Sequence, residues 1–436
     1  MSAVESVTQI QAYAVINNQA TPVPLETFDV QLAAYGSVGH FECTTAISGL
    51  ASHGFDANHL LGKMIEDAQP YLSDGSPSYP IQLYATGAYS GVTAQIFGGD
   101  IDELSWDFDR DELKITGRDF AGRMRDWMAV VTATPGQGSQ FYTNMTYYQF
   151  AIALIRAVKL TPQISDSATV NKSLYQLLFA INQQAPGTTR FGYDSVGLSD
   201  NVSIYAAPQN TWDLLNKIAR SIGFIVTVHF DGTVYVGPPG GDSAVNLSPR
   251  TFTWMAEEGT PNTIPVRNLT VDHGPRQYGT FVVNAYGYHG PSAQISVAHG
   301  MGLAGNTTYY GLARQPLTTG VYASKPPTSA VQAGKPNYFF YRPGMTQPQI
   351  EQLVVGETFD IAKRLYVVHG EIDGDPTLVP TTPMTLAEAQ SGSLQGYAGK
   401  PLDIASVNHT FSMEEGFNTL FKAWHAPKVN GAVETA

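Results

Sequence analysis

Tyr397-Ala-Gly-Lys-Pro-Leu-Asp-Ile-Ala-Ser-Val-Asn-His-Thr-Phe-Ser-Met-Glu-Glu-Gly-Phe-Asn-Thr-Leu-Phe-Lys-Ala-Trp424 is the stretch whose reading decides the fold. Ile404, Ser406, Asn408 and Thr410 alternate with Ala405, Val407, His409 and Phe411, the two-residue period of a strand with unlike faces. Glu414-Glu415-Gly416 reads as a turn whose glycine tolerates left-handed backbone, after which Phe417, Thr419 and Phe421 resume the period. A β-hairpin is predicted here. A second stretch has the same order: Ile101-Asp-Glu-Leu-Ser-Trp106-Asp-Phe108, the acidic turn Asp109-Arg-Asp-Glu112, and the return Leu113-Lys-Ile115-Thr-Gly117-Arg-Asp119. Two such hairpins suggest an internal repeat of one small barrel.

Shorter alternations at Val30–Leu32, Ile81–Leu83 and Val92–Asp100 extend the strand character through residues 1–125. The period then changes. Thr146-Tyr-Tyr-Gln149 is a capping box, and Phe150, Ala151, Leu154, Ile155 and Val158 share one helical face. Asn210 or Thr211 caps a second helix bearing Trp212, Leu215, Ile218, Ala219 and Ile222, with Gly223 as its stop. Phe224–Phe230 and Thr233–Val236 flank Asp231-Gly232, a pair suited to a two-residue type I′ turn. Residues 126–250 therefore read as an α/β insertion. From 251 strands resume, at Asn268–Asp272 and Thr280–Tyr286, before a Pro- and Gly-rich stretch at about 287–345 that is too long for an ordinary loop. Thr346-Gln-Pro-Gln349 predicts a further helix through Ile350, Leu353, Val354, Phe359, Ala362 and Leu365.

Composition agrees with a β-rich, multidomain chain. The 436 residues are 43% hydrophobic and only 14% charged, with 42 Gly, 27 Pro, 23 Tyr and 20 Phe, which favours turns and strands over long helices. The one cysteine, Cys43, excludes an internal disulfide framework and suits a reducing compartment. Met1-Ser-Ala-Val-Glu-Ser lacks the basic and apolar regions of a signal peptide, and no run of about 18 apolar residues predicts a membrane-spanning helix. The net charge of −13 argues against a generic nucleic-acid binder. Its distribution is uneven, because His273–Ile350 holds no Asp or Glu but carries Arg276, Arg314, Lys325, Lys335 and Arg342. Such a stretch fits either an acidic partner or plain solvation.

Chemical motifs mostly fail. Gly300-Met-Gly302-Leu-Ala-Gly305 matches a dinucleotide-binding glycine pattern, but Asn306-Thr-Thr-Tyr-Tyr is a poor helix start and no acid follows at the ribose position. Asp107, Asp109 and Asp111 imitate the opening of a calcium loop, yet Glu112 and Arg118 occupy the positions of its glycine and bidentate glutamate, so a solvated turn is the better reading. His53, His59, His369 and His409 lie outside any metal-binding spacing and read as core, strand-edge or surface histidines. Asp102-Glu103 could supply two acids for glycoside hydrolysis, but neighbours in a strand face opposite ways. No catalytic, cofactor or metal residue is assigned, and no cofactor.

The terminal pattern of a strand into Val407-Asn-His, an acidic turn and Gly416-Phe-Asn-Thr resembles the last hairpin of phage baseplate hub proteins, the tail family of contractile-tailed phages that includes the late control protein D group. The order of helix, Trp-bearing helix and Asp-Gly-Thr-Val-Tyr hairpin resembles that family's middle, and Gly374-Asp-Pro-Thr-Leu-Val-Pro380 its entry into the final strands. One departure is Thr385-Leu-Ala-Glu-Ala-Gln390, helix-prone where the resemblance implies a short strand, which leaves the register of residues 381–398 open.

The resemblance implies a β-rich α+β fold with two small tube-like β-barrel domains and α/β insertions. The domains would be 1–125 for the first barrel, 126–250 for the α/β insertion, and 251–436 for the second barrel with its insertion at about 287–345. It further implies a non-enzymatic structural hub of the tail baseplate, assembled in the bacterial host cytoplasm. As a homotrimer it would join the tail tube to the central spike, with six barrels in a pseudo-sixfold ring around the DNA ejection channel. The implied partners are self, the central spike protein and the tail tube or tube initiator protein, extending to the tape measure protein and other baseplate proteins, with no sequence-specific nucleic acid. The rival reading is a tail-associated carbohydrate-binding or polysaccharide-hydrolysing protein, for which a deep acidic cleft would be expected.

Overall fold

A computed structural model describes residues 12–16, 22–33, 36–52, 69–70, 77–88, 90–129, 147–165, 209–221, 224–237, 249–257, 263–273, 281–289, 294–303, 306–316, 337–341, 363, 366–425 and 428–435. The N-terminal part contains β1 (Ala12–Ile16), β2 (Val23–Pro24), β3 (Thr27–Ala33), β4 (His40–Ala46), α1 (Ile47–Ser52), β5 (Gln69–Pro70), β6 (Pro77–Ser78), β7 (Pro80–Thr86), β8 (Thr93–Asp107) and β9 (Glu112–Asp119). The middle follows with α2 (Ala121–Asp126), β10 (Met128–Ala129), α3 (Tyr147–Ala157), β11 (Thr161–Ile164), β12 (Gln209–Asn210), α4 (Thr211–Ser221), β13 (Ile225–Val228) and β14 (Thr233–Gly237). The described elements that follow are strands: β15 (Arg250–Trp254), β16 (Ile264–His273), β17 (Phe281–His289), β18 (Gln294–Leu303), β19 (Asn306–Pro316), β20 (Asn337–Tyr341), β21 (Tyr366–Asp373), β22 (Pro383–Glu388), β23 (Leu402–Ser412), β24 (Gly416–His425) and β25 (Lys428–Thr435).

Thirteen strands form one sheet, in the order β2-β1-β7-β8-β9-β4-β3-β23-β22-β15-β16-β21-β24. Because β24 also pairs with β23, the last six strands close on themselves into a barrel and leave no free edge. Its interior is filled by Phe252, Val368, Ile372, Leu386, Ile404, Val407 and Phe421 among others. The N-terminal strands wrap around a second core built on Val30, Phe41, Ile81, Leu83, Phe97 and Ile115. Both interiors are packed with side chains, so neither barrel has a lumen of its own.

The β2–β3 segment has one edge on β4 and divides its other edge. Val23 and Pro24 pair with β1 and Leu25 N–H donates to the Ala12 carbonyl, whereas Thr27–Ala33 pair with β23 in antiparallel register from Ser412↔Thr27 to Ser406↔Ala33. The tip of the C-terminal hairpin thereby fills the seam of the N-terminal barrel. Gly374 completes the seam, donating to the Phe417 carbonyl and accepting from Ala88 N–H. Only glycine fits at 374, since a Cβ there would overlap the Phe417 ring.

The predicted hairpins are present. β8 and β9 turn through residues 108–111 and β23 and β24 through 413–415, with Gly416 at φ +77°. The Asp231-Gly232 hairpin differs from expectation: His229 N–H donates to the Thr233 carbonyl and Gly232 N–H to the His229 carbonyl, giving a three-residue loop. Gly232 alone there has positive φ, at +82°, whereas a type I′ turn needs two such residues. The described parts of the stretch at about 287–345 are regular, because β17, β18 and β19 form an antiparallel meander within the five-stranded sheet β20-β17-β18-β19-β25. Thr385–Glu388 are strand, as the resemblance implied and the local propensity did not, because β22 lies between β15 and β23. The helix predicted after Thr346 and the stop at Gly223 lie outside the described residues. Among the described residues no helix is long and apolar enough to cross a membrane.

Phe411 and Phe417 belong to the C-terminal hairpin but lie in the N-terminal core, where both rings pack on Phe28 at centroid distances of 5.4 and 5.6 Å. Phe417→Ala is expected to cost about 3–5 kcal/mol, the usual range for removing a buried phenyl. Urea unfolding followed at probes in each barrel should then show both shifting together. Loss of one barrel with an unmoved midpoint for the other would contradict the shared wall.

Candidate functional site: the junction of the two barrels

The inward face of the C-terminal hairpin runs without interruption from one core to the other. Ile404, Val407, Phe421 and Ala423 face the C-terminal core, and Phe411 and Phe417 the N-terminal one. Between them His409 and Thr419 are directly opposed across the strands and fully buried. Thr419 Oγ accepts from Asp375 N–H at 3.1 Å and, 3.0 Å from His409 Nδ1, donates its hydroxyl proton to that nitrogen. His409 Nε2–H donates to the Leu378 carbonyl at 3.1 Å. This chain fixes the imidazole as the neutral Nε2–H tautomer and ties the 374–382 loop to the hairpin. Burial holds the His409 pKa down, at about 4. Thr377 N–H and hydroxyl both donate to Asp375 Oδ1, so the loop is organised on the same short segment.

On the outer face the two barrels diverge and leave a groove of about 600 Å³. Gln31, His40, Asn268, Leu420 and Lys422 are exposed along it. Asn268, at φ +50° beside a β-bulge, donates to Glu371 at 2.7 Å, and Arg267 lies 3.6 Å from the same carboxylate. The Asn408 side-chain oxygen is buried here with no hydrogen-bond donor.

A third polar cluster fastens the middle of the chain to the N-terminal barrel. Arg118 makes paired contacts to Asp102 and to Asp126, and Arg123 grips Asp100 at 2.5 and 2.7 Å. Asp119 accepts from Gly39 N–H at 2.6 Å and Ala121 N–H at 3.0 Å, while burial pushes its carboxyl up to about 7. Trp212 Nε1–H reaches the Gly36 carbonyl at 3.2 Å, and Asn210 caps α4 by accepting from Asp213 N–H at 2.7 Å. The hollow among these acids measures only about 60 Å³, too small for a sugar ring, and Asp100, Asp102 and Asp126 are each engaged by an arginine.

The residues weighed from sequence are accounted for by structure where they are described. Asp102 and Glu103 both face solvent because a bulge after Ile101 breaks the strand alternation. Asp107 Oδ1 accepts from Asp109 N–H and Arg110 N–H and so forms the turn, while Asp111 Oδ1 accepts from Ser48 N–H of α1. Gly300–Leu303 lie in β18 and Asn306 opens β19, a strand–strand connection rather than the strand–helix turn that cradles a pyrophosphate. His369 stands 3.4 Å from Asp272. His53 and His59 lie outside the described residues, as do Arg276, Lys325, Lys335 and Arg342; Arg314 is on β19. Sequence reasoning missed the polar layer between the cores, although His409 is in phase with Val407 and Phe411.

No protein-family model and no curated protein sequence matches the chain. Solved structures do. The crystal structure of a tail protein from Neisseria meningitidis MC58 superposes with a TM-score of 0.53 at 12% identity, over 95% of this chain and 96% of that one. The 43 kDa tail protein of prophage MuSo2 from Shewanella oneidensis gives 0.52 at 9% identity, over 95% and 98%. This chain therefore shares their fold over its length, and the resemblance noted in the sequence is a resemblance in structure.

His409 gives the junction a pH signature. The unfolded imidazole titrates near 6.5 and the folded one near 4, so the folded state binds its proton later. Stability is full above pH 6.5 and falls as pH drops from 6.5 towards 4, by up to roughly 3 kcal/mol from this group. His425, also held down at about 4 mainly by burial, adds a loss of the same sign. His409→Gln should flatten the profile in that window, measured as urea midpoints from pH 4 to 7. An unchanged slope would assign the acid sensitivity elsewhere.

Proposed function

We propose that the chain is a non-enzymatic hub of a phage tail or phage-like injection particle, a homotrimer joining the tail tube to the central spike. The observation that carries this reading is the fold shared from end to end with two tail proteins. A physical point supports it. Each barrel is filled by its own core, so a passage for DNA has to run between copies, and a threefold assembly of two-barrel chains would offer a nearly sixfold face to the tube and a threefold face to the spike. The shared hairpin holds the two barrels of a chain at one relative placement, which a ring of fixed diameter needs. The acidic chain suits a channel wall, since basic residues facing phosphates would add affinity and retard passage.

Within this reading residues 1–125 and 251–436 supply the two barrels and 126–250 the α/β insertion. The partners are further copies of the chain, the spike, the tube or tube initiator, the tape measure protein and other baseplate proteins, and the location is the virion tail baseplate after assembly in the host cytoplasm. The rival hydrolytic reading lacks support from the acidic hollow, whose size and arginine pairing leave no room for a sugar between two free carboxyls.

Mass measurement of the purified protein alone and mixed with its spike protein should give a trimer in at least one case. A monomer in both would sink the assembly. Incubation with peptidoglycan or host polysaccharide should yield no turnover, and turnover abolished by changing one carboxylate would restore the enzymatic alternative.

A further inference from the structure

The β8–β9 tip is an unusually exposed apolar knob. Phe108 is 72% exposed, stacked on Trp106 at a centroid distance of 6.4 Å. The tip is held rigid by Asp107 Oδ1, which accepts two successive backbone N–H groups, and by Asp111, which is bonded to Ser48 of α1. Around the ring stand Asp109, exposed, and Arg110, whose side chain is 79% exposed and only 3.6 Å-paired to Asp107. A preorganised aromatic on a turn loses little entropy on docking.

The outer groove between the barrels has the complementary chemistry. Leu420, 44% exposed, gives it an apolar floor. Lys422 and His40 are exposed on its walls, and among the described residues Lys422 has no acidic partner. The groove's own acid, Glu371, is already engaged by Asn268 and Arg267. Phenyl meets leucine, and Asp109 can face Lys422.

One chain cannot make this contact with itself. His40 at one end of β4 borders the groove, while Ala46 at the other end pairs with Glu112 beside the tip. Six residues of strand separate them by roughly 20 Å. The geometry points to a second copy as the occupant: the Phe108 tip of one chain seats in the Leu420 groove of the next. Knob and groove are different surfaces, so the contact is heterologous and repeats around a ring until it closes. This inference rests on the trimer proposed above and names the surfaces that build it.

The test uses Phe108→Cys and Leu420→Cys in the full chain. Background is low, because Cys43 is fully buried and burial raises its thiol pKa far above the usual range. Under the condition in which the trimer forms, mild oxidation of a mixture of the two single variants should give a disulfide-linked pair containing one of each, and the double variant should give a ladder ending at three chains. Phe108→Asp should weaken assembly at least about tenfold with unchanged thermal melting, as expected for loss of an aromatic anchor. A trimer that forms without mixed disulfides and tolerates Phe108→Asp overturns this contact while leaving the trimer standing. Disulfides linking only like variants would also overturn it, as would a Leu420→Cys thiol that stays open to alkylation in the trimer. No trimer in either condition removes the contact and the assembly together.

Discussion

The structure depends on one hairpin serving as wall to two barrels. A strand has two edges and two faces, and β23 uses all of them: β24 along one edge, β22 and then β3 along the other, and an inward face that passes from one core to the next. The irregularity between Ile404 and Ser406 is where the change of partner takes place. A bulge of this kind bends the strand and increases its twist, which lets the same strand leave β22 for β3.

Joining two apolar cores through a continuous wall creates a problem at the boundary, where the 374–382 loop must cross without stranding its backbone groups. His409 and Thr419 solve it with three hydrogen bonds in sequence. An imidazole is suited to the place because its neutral form offers one donor and one acceptor on opposite sides of a rigid ring. Burial then outweighs the Leu378 carbonyl and the nearby Asp375 carboxylate, both of which favour the charged ring, and depresses its pKa. The arginine–aspartate cluster plays a different part, at the outer surface, where paired guanidinium contacts fix α2 against β8 and β9.

The described residues of the middle of the chain reach the N-terminal barrel by specific contacts. Trp212 extends from α4 to the Gly36 carbonyl, and Gly98 in β8 is bare because any Cβ would strike the Phe230 carbonyl of the β13–β14 turn. Position is thus set by close backbone approach as much as by burial.

Sequence alone determined what depends on neighbours in the chain. Period-two alternation gave β3, β7, β8, β9, β23 and β24, and stripes at helical spacing with Asn210 and the Thr146 box gave α4 and α3. Tertiary structure decided what depends on partners far along the chain. Thr385–Glu388 became strand because β15 and β23 flank it, against the helical preference of Leu-Ala-Glu-Ala, and Gly300 and Gly302 of the glycine pattern became part of a meander because β19 returns beside β18. Phe411 and Phe417 carry no mark that they cross into another core, and Asn408 none that its oxygen would lack a donor, since alternation records which residues turn inward but not whose interior they enter. The physical reason is that strand pairing between residues 27–33 and 406–412 is fixed by long-range register and packing, which no local window contains.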